Sequence, residues 1–177
     1  AFGTGLHQTT RMCLVELERH MQPGWTVIDQ GCGSGILAVA AARLGAASVW
    51  ARDIAEVATE ATAENAARNG VQPIVHVQRV DQHADPRAQV LLSPDQPLAD
   101  LILANIIANA LIHLAEALRA AARPGALLIA SGIIRERADE VLAALTAAGY
   151  QLEERMNEDE WVTLVMRLSA PASIASS

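Results

Sequence analysis

Apolar positions along this chain fall into two alternating patterns. Short runs at 26–29, 48–52, 74–78, 101–104 and 126–130 are continuous β-rich stretches rather than alternating ones. Such runs predict strands buried on both faces, as in a parallel sheet. Between them the period becomes that of a helix: Leu14, Leu17 and Met21; Leu111, Leu114 and Leu118; Ala138, Val141, Leu142 and Leu145. Asn69-Gly70 ends a helix that begins near Ala55, Pro124-Gly125 follows another, and Gly149 follows the last. Two final runs, 151–155 and 161–168, have no helix between them and predict an antiparallel hairpin around 157–160. The whole reads as a doubly wound α/β domain. Residues 80–99 carry three prolines and little periodicity and read as a long surface loop. The tail, 169–177, is expected to be disordered.

Composition narrows the function. At 177 residues and 51% hydrophobic content the chain can bury one good core. All 13 basic residues are arginine, which rules out a phosphate-binding P-loop lysine and a Schiff-base lysine. A net charge of -7 argues against a generally basic nucleic-acid surface, and five aromatics are too few for a base-stacking platform. Direct nucleic-acid binding is therefore not expected. Cys13 and Cys32 make neither a disulfide framework nor a zinc site, which suits a reducing, cytoplasmic setting. No apolar run approaches the ~20 residues of a membrane span, and no signal peptide is visible. The absence of an initiating Met suggests a piece of a longer chain.

The stretch Asp29-Gln30-Gly31-Cys32-Gly33-Ser34-Gly35 follows the first strand and opens a helix. Its glycines permit a sharp turn and close approach of a ligand. A dinucleotide fingerprint, G-x-G-x-x-G/A counted from Gly31, needs Gly or Ala at position 36, where Ile36 stands. The form acid-x-G-x-G-x-G resembles instead the nucleotide turn of S-adenosylmethionine-dependent methyltransferases. Asp53, at the end of the second strand, is placed to accept from vicinal ribose hydroxyls; the alternative is a helix N-cap, and the glycine turn favours the ribose. Asp29 either faces the cofactor's amino end or bonds the loop. Asn105, at the end of the fourth strand, lies where ligands of open α/β sheets bind. Its amide oxygen can accept from a substrate amine and aim the nitrogen lone pair; otherwise it bonds its own loop.

The opening Ala1-Phe2-Gly3-Thr4-Gly5-Leu6-His7-Gln8-Thr9-Thr10 is more specific. Locally, Thr9 or Thr10 can cap the first helix. The segment resembles the A-F-G-T-G-x-H-x-T-T signature of the methyltransferases that modify protein eleven of the large ribosomal subunit. The match continues through Asp29–Ala38, Asn65-Ala66, Asn69-Gly70, Ala104-Asn105-Ile106, Ser131-Gly132-Ile133 and Glu160-Trp161.

The resemblance implies a Rossmann-like class I methyltransferase fold, with a mostly parallel seven-stranded sheet, helices on both faces and a C-terminal antiparallel hairpin. It implies methyl transfer from S-adenosylmethionine to lysine and N-terminal α-amino groups of a large-subunit ribosomal protein. Thr10, Gly31, Gly33, Asp53 and Asn105 then fall among the cofactor-holding positions, with Phe2, Gly3 and Thr4 in a loop closing over them. Asn105 is the expected catalytic residue, and no metal is expected. The family often has a second acid and a proline where this chain has Ala55-Glu56, and the 80–99 loop looks longer than usual, which leaves Asp81 only a weak candidate for the adenine side. The family also carries a separate substrate-gripping domain, so residues 1–168 read as a catalytic domain without it.

His7 is the only histidine near the loop to suggest a base, although a loop histidine more often bonds its own turn. The alternatives are methylation of another amine and cofactor binding without turnover. Asn105-Ile106-Ile107-Ala108 lacks the N-P-P-Y form of base-amino methylases.

Overall fold

The computed structural model describes residues 7–91 and 93–170. These residues form one seven-stranded sheet in the order β3-β2-β1-β4-β5-β7-β6. The strands are β1 (Thr26–Gln30), β2 (Ser48–Asp53), β3 (Val75–Arg79), β4 (Ala99–Asn105), β5 (Ala122–Ile134), β6 (Tyr150–Glu158) and β7 (Trp161–Leu168). The first five run parallel, and β7 pairs antiparallel with both β5 and β6. The expected α/β class, the parallel sheet and the terminal hairpin are therefore all present.

Alternation along the strands sorts the core into two layers. Val27, Val49, Ala51, Leu101 and Leu103 face α1 (Gln8–His20), α2 (Ile36–Arg43) and α3 (Glu56–Arg68). Ile28, Ile102, Ala104 and Leu128 face α5 (Ala108–Ala120) and α6 (Ala138–Ala147). The helical stripes read from the sequence bury as predicted: Leu17, Leu111, Leu118, Val141 and Leu145 are all fully buried. Truncating any of these leucines to Ala is of the kind that costs about 2–5 kcal/mol.

Three sequence expectations need correction. Residues 80–99 are not wholly a surface loop: they contain the short α4 (Pro86–Val90), and Gln89, Val90 and Gln96 are buried. Asp85 caps that helix by accepting from the Arg87 N–H at 2.9 Å, and Pro86 sits where the missing N–H costs nothing. Pro124-Gly125 do not lie between helix and strand but within β5, because Ala122 already pairs with Ala99 across a bulge. Finally, neither Thr9 nor Thr10 caps α1; His7 does, accepting from the Thr9 N–H at 3.2 Å. At the C-terminal end, Ser169 N–H still bonds Gly149 at 3.1 Å, while residues 171–177 of the expected tail lie outside the described residues.

Candidate active site

The strand order reverses between β1 and β4, so their carboxyl ends flank a crevice. The same alternation that buries Val27, Val49 and Leu103 puts Asp29, Asp53 and Asn105 on the α1–α3 side of the sheet, at or near the carboxyl ends of their strands.

The glycine turn is built by φ values that L-residues avoid: +78° at Gly31, +54° at Gly33 and +85° at Gly35. The Arg52 carbonyl accepts from both Gly31 and Cys32 N–H at 2.8 Å. From α3, Thr62 donates to the Gly33 carbonyl at 3.0 Å, and Asn65 donates to Ser34 at 2.7 Å. A Cβ on Gly31 would lie 2.3 Å from Ile106 Cγ2, and one on Gly35 would lie 2.8 Å from Thr62. A Cβ on Gly33 would meet nothing within 4 Å, so this glycine borders open space.

Asp53 closes the turn. One oxygen accepts from Gly33 N–H at 3.0 Å, the other from Ala55 N–H at 2.9 Å. It is not the α3 N-cap, a position held by Ala55. Beyond Asp53, residues 54–55 and 79–83 line a cavity of about 580 Å3. Asp81 stands in its wall, accepting from His83 N–H at 2.9 Å.

Asp29 is buried, and its carboxyl accepts from the Ala38 N–H in the first turn of α2. Gly35, at the N-cap, has no side chain to do so. Burial pushes the Asp29 pKa up to about 7, with the Ala38 hydrogen bond opposing and the Asp53 charge adding. One of its oxygens has no partner.

Asn105 donates from Nδ2 to Thr10 Oγ1 at 3.4 Å, while its buried Oδ1 has no hydrogen-bond partner. The loop after it is held by Ile106 N–H to the Ser131 carbonyl at 3.1 Å. Gly132 allows the close approach, since a Cβ there would lie 3.0 Å from Asn105 Oδ1. Beneath, Ser131 and Thr163 hydroxyls share a 2.6 Å hydrogen bond, and Thr163 also meets Met12 of α1.

The hairpin tip braces the start of α1. His7 meets Trp161 edge-on with ring centroids 5.2 Å apart, Gln8 bonds Asp159, and Arg11 pairs with Glu158. Phe2, Gly3 and Thr4 lie outside the described residues. Cys32 and Cys13 are buried with thiols pushed up to about 12 by desolvation, so neither is a nucleophile at neutral pH. Glu16, His20 and Glu154 come together between α1 and β6, where Arg19 donates to both carboxylates. The protein's own cation thus fills that cluster.

The structure therefore brings Thr10 to Asn105 and Asp53 to Gly33. Sequence reasoning missed Thr62, whose only signal is its i,i+4 spacing to buried Ala66, and the Ser131–Thr163 pair.

The strand order, the antiparallel hairpin and the crevice at the β1–β4 reversal define a class I methyltransferase fold. Within that class, the sequence model of the ribosomal protein L11 methyltransferases (PrmA) matches residues 1–169, and the chain belongs to that family. It is 48% identical to the ribosomal protein L11 methyltransferase of Chloroflexus aurantiacus over 94% of this chain and 56% of that protein. It is also 48% identical to the one from Pelotomaculum thermopropionicum, over 96% of this chain and 52% of the other. The chain thus spans about half the length of the curated relatives it matches. The crystal structure of a ribosomal protein L11 methylase from Lactobacillus delbrueckii subsp. bulgaricus superposes with a TM-score of 0.78 at 36% identity, covering 93% of this chain and 80% of that one. A precorrin-6y C5,15-methyltransferase from Geobacter metallireducens shares the fold at 16% identity and a TM-score of 0.72.

Proposed function

We propose that this chain is the S-adenosylmethionine-dependent catalytic part of a protein N-methyltransferase acting on lysine and N-terminal α-amino groups of ribosomal protein L11. The observation that carries the reading is Asn105 Oδ1, a buried acceptor without a partner at the reversal point of the sheet. A buried acceptor left empty costs about 1–3 kcal/mol, which a ligand N–H would recover.

The site suits the cofactor on its own geometry. Asp53 has lone pairs to spare beyond its two backbone donors and can accept from vicinal hydroxyls. Gly33 leaves open space where any side chain would stand. The cavity past Ile54 offers room for a base, with Asp81 in its wall.

When bound, the cofactor supplies an electrophilic methyl group on a sulfonium. Asn105 Oδ1 accepts an N–H of the substrate amine and so points its lone pair, while Thr10 keeps the amide from rotating. The amine must arrive neutral. Burial disfavours the ammonium form and lowers its pKa, so the chain needs to orient the nitrogen more than to deprotonate it.

Among the described residues no helix is long and apolar enough to cross a membrane. The proposed ribosomal substrate supports a cytoplasmic setting for the reaction. The test is methyl transfer from labelled S-adenosylmethionine to purified ribosomal proteins, using the enzyme at the full length of its relatives. Label on ribosomal protein L11 is expected; cofactor binding without any labelled ribosomal protein would sink the substrate assignment.

A further inference from the structure

On the face of the sheet opposite Asp53 lies a buried cation with no acid beside it. Arg52 is 1% exposed. Its Nη1 donates to the Ala51 carbonyl at 3.3 Å, its Nη2 donates to the Gln96 side-chain oxygen, and its Nε has no partner. Among the described residues no carboxylate forms an ion pair with it. A buried charge without a counter-charge costs stability, and an apolar side chain of similar volume would hold this position at least as well. The Trp50 ring, 5.6 Å from the guanidinium carbon, offsets part of that cost, so stability alone does not explain the guanidinium.

Its bonds lead to the cofactor crevice from two directions. Through the backbone, the Arg52 carbonyl holds Gly31 and Cys32 N–H, both at 2.8 Å. Through the side chain, Arg52 holds Gln96, whose own amide donates to the Val90 carbonyl at 3.2 Å. Beside it in register on β1, Gln30 donates to the Gln89 carbonyl at 3.1 Å. Gln89 in turn donates to the carbonyls of Gln82 and Ala84 at 3.2 and 2.9 Å. Residues 81–83 wall the cavity next to Asp53. The path runs from the central strands, across α4, to that wall.

We propose that the Arg52 guanidinium is a positioning group for cofactor binding: through Gln96 it anchors α4 at Val90, and Gln89 of that helix holds Gln82 and Ala84 against the nucleoside end of the crevice. The inference rests on the S-adenosylmethionine reading of the site. It makes affinity and stability respond differently to the same change.

The experiment compares the unmodified chain with Arg52→Met and Gln96→Leu, titrating S-adenosylhomocysteine by calorimetry and recording thermal melts. Arg52→Met removes the buried charge but also the donor to Gln96, two opposed effects, so its melting temperature should change little, while affinity should fall about tenfold, the scale of one charge-assisted hydrogen bond. Amide exchange in residues 81–91 should quicken in both variants. Should Arg52→Met fail to fold, Gln96→Leu removes the acceptor of the guanidinium and is read in the same way. Binding within about twofold of the unmodified chain in the folded variants overturns the proposal. So does an affinity that falls only in step with the melting temperature, which marks a purely structural role. If the unmodified chain itself does not bind, the cofactor reading fails and this inference falls with it.

Discussion

Asp53 and Gly33 are joined across the crevice by a 3.0 Å hydrogen bond from the glycine N–H to the carboxylate. The acid at the end of β2 thereby fixes the middle of a turn that begins at the end of β1. Its second oxygen holds the start of α3 through Ala55. A residue expected to read a ribose thus also shapes the turn beside it.

Asp53→Ala should accordingly do two things. Losing two charge-assisted hydrogen bonds lowers stability by about 1–3 kcal/mol, and S-adenosylhomocysteine affinity falls by more than about tenfold. Asp53→Asn, which keeps one acceptor oxygen, should lie between. Calorimetry and urea unfolding on the same preparations check both; unchanged affinity in Asp53→Ala would remove the ribose assignment.

The glycines of the turn should separate by substitution. Gly31→Ala drives a Cβ into Ile106 at a φ of +78° and is expected to impair folding. Gly33→Ala meets no atom, so it should fold with a loss of about 1–2 kcal/mol for the left-handed backbone alone. Its Cβ then stands in the space proposed for the cofactor. Folded Gly33→Ala with undiminished affinity would move the binding site elsewhere.

Asp29 makes stability depend on pH. Folded, its pKa is raised to about 7, chiefly by burial. Unfolded, it has the ordinary carboxyl value of about 4. Between about pH 4 and 7 the folded chain keeps a proton that the unfolded chain releases, so this group's contribution falls as pH rises and is level above that window. Asp29→Asn lacks the step. From about pH 5 to about pH 8 the unmodified chain should lose stability relative to Asp29→Asn in urea unfolding. A constant gap between the two would show that Asp29 does not titrate in that range.

Much of this was legible in the sequence because it depends on local pattern. The parallel strands announce themselves as short β-rich runs without regular alternation, and the left-handed turn as three alternate glycines. Where local pattern and long-range pairing differ, pairing wins. Pro124-Gly125 read as a stop signal, yet Ala122 is drawn into β5 by Ala99. The helix in 80–99 had a local signal, Asp85-Pro86, that the surrounding prolines obscured. The buried polar path through Gln30, Arg52, Gln89 and Gln96 had none, because its bonds join residues up to 59 positions apart. The orphaned oxygen of Asn105 likewise follows from Thr10 taking the amide's other end, a contact across 95 positions.

Asn105 and Thr10 should therefore fail unequally. Removing the acceptor in Asn105→Ala lets the amine turn away from its line of attack and should lower kcat about 100-fold. Thr10→Val keeps the shape but frees the Asn105 amide to rotate, and should cost less, about tenfold. Single-turnover methylation of ribosomal protein L11 by the full-length enzyme measures both. If Thr10→Val equalled or exceeded Asn105→Ala, Thr10 would be acting on the reactants directly rather than by holding the amide.

His7 poses the opposite question, because its position tempts a chemical role that its bonds already explain. Its Nδ1 accepts from the Thr9 N–H and lies 2.7 Å from the Thr9 hydroxyl, and its ring rests against Trp161. Those contacts make it the N-cap of α1, the helix that carries Thr10 to Asn105. Asn is an equally good cap and has no titratable proton, so His7→Asn should keep both the helix start and turnover. His7→Ala, which caps nothing, should lose about 1 kcal/mol of stability and weaken turnover only through the displaced helix. Unfolding curves and methylation rates on the two variants decide it. A folded His7→Asn enzyme without turnover would mean that the imidazole moves a proton in the reaction.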